Sequence, residues 1–172
     1  MPEPTIRDER ETDAGAIRAV TRAAFAGMPY SQQTEAAIVE ALRAAGALAV
    51  SLVAVENDEI VGHVAFSAMT IDGAAAPGWF GAGPLSVRPG RQRSGIGAAL
   101  MRAGLARLAD AGAQGCVLVG DPAYYRRFGF REAASLIYPG LPAAYFQVLE
   151  LAAAEPRGAV AFHAAFAARD DD

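Results

Sequence analysis

The chain contains no lysine, and all 15 of its Lys+Arg residues are arginine. A phosphate-binding P-loop needs G-x-x-x-x-G-K-[ST], so that route to nucleotide binding is closed. A single cysteine excludes an internal disulfide and any multi-cysteine zinc site. That residue, Cys116, lies in the apolar run Gln114-Gly115-Cys116-Val117-Leu118-Val119, which reads as a buried strand where a thiol behaves as a small inert hydrophobe. His63 and His163 are far apart and outside a ligand pattern such as H-E-x-x-H, so no metal site is expected. The alanine-rich stretches are broken by Arg, Glu and Gly before they reach the ~20 apolar residues of a membrane span. Met1-Pro2-Glu3-Pro4 lacks the basic and apolar regions of a secretory leader, so a cytoplasmic protein without a membrane partner is expected. A formal net charge of -4 argues against a nucleic-acid partner, because neutralising phosphates takes a basic face.

What is present reads as one globular domain spanning 1–172, a length that supports a continuous core. The chain is organised around residues 87–100, V-R-P-G-R-Q-R-S-G-I-G-A-A-L, where an apolar run stops, a turn follows and a helix begins on glycines. Without bulky side chains, Gln92-x-x-Gly95-x-Gly97 lets successive backbone N–H groups converge on one anion. The unpaired N–H groups of the helix start and the positive end of its macrodipole add to that field. A close-packing contact between helix and sheet is the other reading of Gly95 and Gly97. A dinucleotide fingerprint does not fit, because Gly81-Ala82-Gly83-Pro84-Leu85-Ser86 puts Pro84 where the helix should start.

Gln92-Arg93-Ser94-Gly95-Ile96-Gly97 resembles the pyrophosphate loop [QR]-x-x-G-x-[GA] of the GNAT superfamily, the acyl-CoA-dependent N-acetyltransferases. Downstream, Gly120-Asp121-Pro122-Ala123-Tyr124-Tyr125-Arg126-Arg127-Phe128-Gly129-Phe130 resembles the superfamily's second marker, an aromatic-Tyr pair ending in Gly-Phe, in the form found in one bacterial subgroup. The resemblance implies a mixed α/β GNAT-like fold: a central, mostly antiparallel sheet with a splayed parallel pair and flanking helices.

The residue patterns agree with that class. A first strand over 5–9 leads to a helix with Thr12 as a plausible cap, whose apolar residues Ile17, Val20, Ala24 and Phe25 recur at helical spacing. Ser31 or Thr34 can cap a second helix, with Ile38, Val39 and Leu42 buried and Gly46 closing it. Residues 48–56 and 60–70 form a hairpin across Asn57-Asp58-Glu59, and 79–87 returns as a third strand. His63 and Ser67 share one face of the middle strand, with proton transfer a possible role for His63. The helix over 96–109 turns Ile96, Leu100, Leu105 and Leu108 inward and Arg102 and Arg107 outward. It makes the strand over 114–119 parallel to its predecessor. A short helix capped by Asp121 follows, and closing strands cover 145–151 and 159–163.

Two adjacent parallel strands can diverge at their carboxyl ends and leave edge N–H and C=O groups without partners. The resemblance implies that the pantetheine arm of acetyl-CoA fills that opening against Leu85, Ser86 and Val87. It also implies that Gln92 and the loop Arg93, Ser94, Gly95, Ile96, Gly97 and Ala98 hold the pyrophosphate. Backbone N–H groups near residues 85–87 can then stabilise the oxyanion formed as an amine attacks. Tyr125 stands at the superfamily position for the general acid that protonates the departing thiolate, with Tyr124 as second choice. Arg88, Arg91, Arg93 and Arg102 crowd the loop, a patch suited to a compact polyanion, whereas Glu35, Glu40, Asp58, Glu59 and the tail Asp170, Asp171 and Asp172 lie elsewhere. Tyr30, Ser31 and Glu35 are candidate acceptor contacts. The strand 79–87 carries no acidic residue, although a carboxylate base is common there in the superfamily; Asp121 is a weak substitute. The implied reaction is direct acetyl transfer to the primary amine of a small molecule or peptide, by a monomer or homodimer. A non-catalytic acyl-CoA sensor on the same scaffold is the alternative, and a hydrolase or nucleotide module the third reading.

Overall fold

A computed structural model describes residues 3–170; Met1, Pro2, Asp171 and Asp172, the last two from the acidic tail, lie outside the described residues. Strand β1 (Thr5–Asp8) leads through a 3₁₀ turn into α1 (Ala14–Phe25), and α2 (Glu35–Ala44) follows. Thr12 does not cap α1. The Asp13 carboxylate accepts the Arg10 N–H at 2.7 Å and the Arg7 guanidinium at 2.7 Å, and this clamp sets the entry to the helix. At the far end of α2, Gly46 adopts φ +66 and Ala47 N–H donates to Leu42 C=O at 2.9 Å, a glycine-dependent C-terminal lock.

Strands β2 (Leu48–Glu56), β3 (Glu59–Ile71) and β4 (Ala74–Val87) form an antiparallel meander. Both connections are two-residue turns with positive φ at each position, Asn57-Asp58 and Asp72-Gly73. For that reason β4 begins at Ala74, five residues before the predicted start at Trp79: the chain reverses at once at Asp72 instead of wandering through a longer loop. After β4 come α3 (Ile96–Asp110), β5 (Gly115–Val119), the one-turn α4 (Pro122–Tyr125), β6 (Arg131–Glu132), β7 (Leu136–Ile137), β8 (Phe146–Glu150) and β9 (Gly158–Phe162). The main sheet runs β1-β2-β3-β4-β5-β8-β6, with β9 on the distal part of β3 and β7 on β9. Within the main order only β4 and β5 are parallel. The fold is the mixed α/β arrangement expected, a mostly antiparallel sheet with one parallel pair and flanking helices.

Helix α3 covers one sheet face. Ile96, Leu100, Met101, Gly104 and Leu108 are buried against Leu52, Val64, Phe66, Cys116 and Leu118. Leu105, expected inward, is only partly buried, and Met101 and Gly104 take the stripe instead. Gly104 is required by closeness, since a Cβ there would stand 2.2 Å from the Phe66 ring. On the opposite face α1 and α2 bring Ile17, Val20 and Val39 onto Val53 and Ile60.

The site is set by a fork between β4 and β5. Their pairing runs only from Trp79 opposite Gly115 to Gly81 opposite Val117. Just beyond, Val64 faces Leu85 and Phe66 faces Ala82, so β4 carries one extra residue at Gly83-Pro84, whose peptide bond is cis. A bulge with proline bends the strand and removes a ladder donor. Meanwhile β5 follows β8 up to Val119 opposite Phe146. Among the described residues no strand pairs with the outer edge of residues 82–87.

Candidate active site at the strand fork

The loop after β4 is shaped for an anion by its backbone. Gly90, Arg93 and Gly95 adopt φ of +90, +63 and +92, and Gly95 is the residue from which α3 starts. The first helical N–H with a backbone acceptor is that of Ala99, which donates to Gly95 C=O at 3.0 Å. Among the described residues, no backbone N–H from 92 to 98 has a hydrogen-bond acceptor. Seven consecutive positions therefore present donors at the positive end of a 15-residue helix. The Ser94 hydroxyl donates to Arg91 C=O, and Gln92 Nε2 donates to Val87 C=O at 3.1 Å, so both side chains brace the loop from within. Gly97 sits against the fork: a Cβ there would lie 3.3 Å from the Tyr124 hydroxyl and 3.5 Å from Val87.

The arginine patch is smaller than its sequence suggested. Arg88 donates to Glu59 at 3.0 Å and to Ile60 C=O, and Arg91 donates to Glu56 at 2.9 Å. The β2–β3 turn thus brings acidic partners to two of the four, a tertiary contact that no local pattern announces. Arg102 lies over the Phe128 ring at 5.1 Å. Only Arg93 remains exposed and without a side-chain partner among the described residues.

The two tyrosines occupy different places. The Tyr124 ring packs edge-on to Tyr125 at 4.9 Å and lies under Arg127 at 4.2 Å, with its hydroxyl beside Gly97 at the start of α3. The Tyr125 ring covers Gly120, where a Cβ would come within 2.4 Å, and it packs into the α3-side core beside Phe130. Burial pushes the Tyr125 phenol up to about 12, and the neighbouring Tyr124, Tyr30 and Asp121 push in the same direction. The group therefore keeps its proton across the neutral range. Tyr30 itself is 76% exposed. The Ser31 hydroxyl donates to Glu35 at 2.6 Å, while Thr34 holds the N-cap position of α2 without a side-chain bond. Asp121 is a cap, accepting the Ala123 N–H at 2.9 Å. The Cys116 thiol is fully buried and its pKa is raised by that burial, and His163 Nδ1 accepts the Ala165 N–H.

One constellation was not legible. His63 is completely buried, and its Nε2 lies 2.8 Å from Ser51 Oγ. The Ser51 hydroxyl donates to Glu9, and Arg43 holds the same carboxylate at 2.7 and 3.1 Å. Burial opposes ionisation of Glu9, yet the nearby His63 ring and the hydrogen bonds from Arg43 and Ser51 outweigh it and hold the carboxyl well below its usual range. Direct contact with His63 is long, 3.8 Å, so Ser51 carries the link. Burial lowers the His63 pKa, with Glu9 opposing and Arg43 adding to the effect, and the ring is neutral. The available signal was a histidine inside an apolar strand, which demands a buried partner; the partner's identity depended on β1 and α2 folding over β2.

Among the described residues no helix is long and apolar enough to cross a membrane. Comparison with known proteins gives consistent results. The model of the acetyltransferase (GNAT) domain matches residues 48–132. The uncharacterized N-acetyltransferase YhbS of Escherichia coli (strain K12) is 37% identical over 152 residues, 86% of this chain and 87% of the relative. The crystal structure of a GNAT family acetyltransferase from Brucella melitensis in complex with acetyl-CoA superposes with a TM-score of 0.85 at 53% identity, over 95% of this chain and 97% of the other. Escherichia coli YhbS in complex with CoA gives 0.86 at 34% identity, over 96% and 93%. Identity of this order across nearly whole chains, joined to a common fold, establishes kinship: the chain belongs to the GNAT acetyltransferase family.

Proposed function

We propose that the protein is an acetyl-CoA-dependent N-acetyltransferase that acylates a primary amine directly, and that its described fold forms one catalytic domain. The observation that carries this reading is the run of unpaired N–H groups over 92–98 beside the unpaired edge of β4. The relatives from Brucella melitensis and Escherichia coli that share the fold were crystallised with acetyl-CoA and CoA. Arg93, Ser94, Gly95, Ile96, Gly97 and Ala98 hold the diphosphate through backbone donors, with Gln92 bracing the loop and Arg93 adding charge. Leu85, Ser86 and Val87 offer the strand edge to the amide-bearing pantetheine arm, a pairing that needs only backbone groups.

Acetyl-CoA supplies an acyl thioester. The backbone N–H groups of 85–87 that point away from β3 are fixed in direction by the bulge and by the ladder, so they stabilise the negative charge that develops on the thioester oxygen without reorganising. Tyr125 donates to the departing thiolate. A phenol near 12 is a weak acid for a free thiolate of pKa ~8.5, but a buried thiolate is itself more basic, as Cys116 illustrates in the same core. Cys116 is inert and unexposed, which favours direct attack over an acyl-enzyme.

The test is release of free thiol from acetyl-CoA across a panel of small amines and peptides. Tyr125→Phe lowers kcat on the order of 10²-fold and leaves acetyl-CoA affinity within two- to threefold. Thermal stabilisation by acetyl-CoA without thiol release for any amine would make the protein a binding module, a reading favoured by the absence of acid on β4. No stabilisation by acetyl-CoA or CoA at all overturns both.

A further inference from the structure

On the α1 side of the sheet, four buried side-chain atoms have no hydrogen-bond partner among the described residues: Thr21 Oγ1, His63 Nδ1, Ser67 Oγ and Ser86 Oγ. All four residues are at most 1% exposed. Buried polar atoms are ordinarily satisfied, and a small site lined by several of them retains internal water. Their positions are ordered. Ser67 stands opposite Gly81, the last β4 residue paired with β5, and so marks the root of the fork. His63 stands opposite Ser86, whose chain neighbours Leu85 and Val87 form the proposed acyl site. Thr21 belongs to the buried stripe of α1, which packs on β3 and β4.

The hydrogen-bond donors fix the state of the histidine. An ionised Glu9 only accepts, so the single Ser51 proton is committed to it, and Ser51 can only accept from His63. Nε2 therefore carries the ring proton, and Nδ1, on the residue that stands opposite Ser86, keeps a bare lone pair. The charged groups that face His63 are Glu9 and Arg43. Glu9, Ser51 and Arg43 also line a cavity of about 520 Å³ with Asp8 and Arg107, which shares no residue with the fork. The cluster thus connects the buried atoms to a second opening on the protein surface.

We propose that Thr21, Ser67 and Ser86, with water held between them, relay a proton from the acceptor amine to His63 Nδ1, and that Ser51 and Glu9 lead it to the surface cavity. The proposal rests on the transferase reading above and supplies the base that β4 lacks. A primary ammonium sheds two protons in becoming an amide. The first N–H bond breaks, its electron pair attacks the thioester carbon, and the proton passes to Nδ1 and then to solvent. The C–S pair stays on sulfur, which takes the proton of Tyr125, and the second amine proton restores the phenol. His63 acts through the hydroxyls and not on the substrate, so it is a positioning residue.

Thiol release is measured with acetyl-CoA and the best amine, alongside Tm and acetyl-CoA affinity, for Thr21→Val, Thr21→Ser, Ser67→Ala and His63→Gln. We expect kcat to fall about 10-fold in Thr21→Val and Ser67→Ala and on the order of 10²-fold in His63→Gln, with acetyl-CoA affinity and Tm held. Thr21→Ser, which restores the hydroxyl, restores turnover. A packing role moves Tm and leaves kcat alone, so kcat within twofold of wild type in both Thr21→Val and Ser67→Ala overturns the relay while the transferase stands. Should His63→Gln fail to fold, those two variants decide. A wild type that binds acetyl-CoA but acylates no amine overturns the transferase reading, and the relay falls with it.

Discussion

The two faces of the β3–β4 sheet handle polarity in opposite ways. Toward α3, strand alternation presents Leu52, Val64, Phe66, Leu85, Val87 and Leu118, an apolar surface closed by Leu100 and Leu108. Toward α1 the same strands present Ser51, His63, Ser67 and Ser86 under Thr21, all buried. The first face is what close packing alone would select. The second costs stability wherever a hydroxyl lacks a partner, and such departures from local consistency concentrate where a protein acts. The difference teaches that one face fixes the start of α3 against the fork, while the other holds the unpartnered polar groups on which the proposed relay depends.

The largest test of that contrast is Phe66→Ala. The ring is fully buried and abuts Gly104 so closely that no methyl would fit between strand and helix. Its removal opens a cavity the backbone cannot close, and we expect a loss of about 3–5 kcal/mol in urea unfolding. A loss below ~1 kcal/mol would mean that the α3 face is no better packed than its opposite.

The part of the molecule that follows local rules was the part legible in the sequence. Gly46 and the turn residues Asn57 and Asp58 adopt positive φ and were readable as a stop and a reversal, and Gly95, also at positive φ, was readable as the place where a helix begins. The fork followed from one strand being reached through a helix. Errors arose where tertiary contact decides. Asp13 and not Thr12 stands at the start of α1, its carboxylate tied to Arg7 on β1 and to the Arg10 N–H, and Arg88 and Arg91 left the anion patch because Glu59 and Glu56 reach them from the neighbouring turn. Glu9, Arg43 and Ser51 carried no signal at all, since only the folding of β1 and α2 over β2 brings them to His63.

Acid should separate the faces next, because the Tyr125 phenol and Cys116 thiol of the α3 side stay protonated in acid whereas His63 and Glu9 of the α1 cluster take up protons. The folded-state pKa of His63 is depressed, so below the unfolded value of ~6.5 the unfolded chain binds a proton that the native chain refuses. Stability is therefore full above that pH and declines as pH falls. Glu9 is also depressed, and its contribution, present above ~4.5 in the unfolded reference, is lost only as pH falls further. A single such proton gives a slope of at most ~1.4 kcal/mol per pH unit. We expect denaturant midpoints to fall between pH 6.5 and pH 5, and His63→Gln to flatten that window while leaving the loss at lower pH. An unchanged slope in the variant would assign the acid sensitivity elsewhere.

The smallest effect is the most discriminating, because it uses one pair of similarly shaped side chains exchanged in opposite directions. Val64→Thr puts a hydroxyl among Phe66, Leu85 and Leu100, where nothing can accept its proton, and we expect a loss of about 1–3 kcal/mol. Thr21→Val removes a hydroxyl that has no protein partner and adds a methyl to a site already the right shape, so the change should lie within ~0.5 kcal/mol. If the faces were equivalent, the two substitutions would cost alike in urea unfolding. A Thr21→Val loss as large as that of Val64→Thr would mean that the Thr21 hydroxyl is anchored as firmly as a core bond, and a hydroxyl so anchored could not turn to pass a proton.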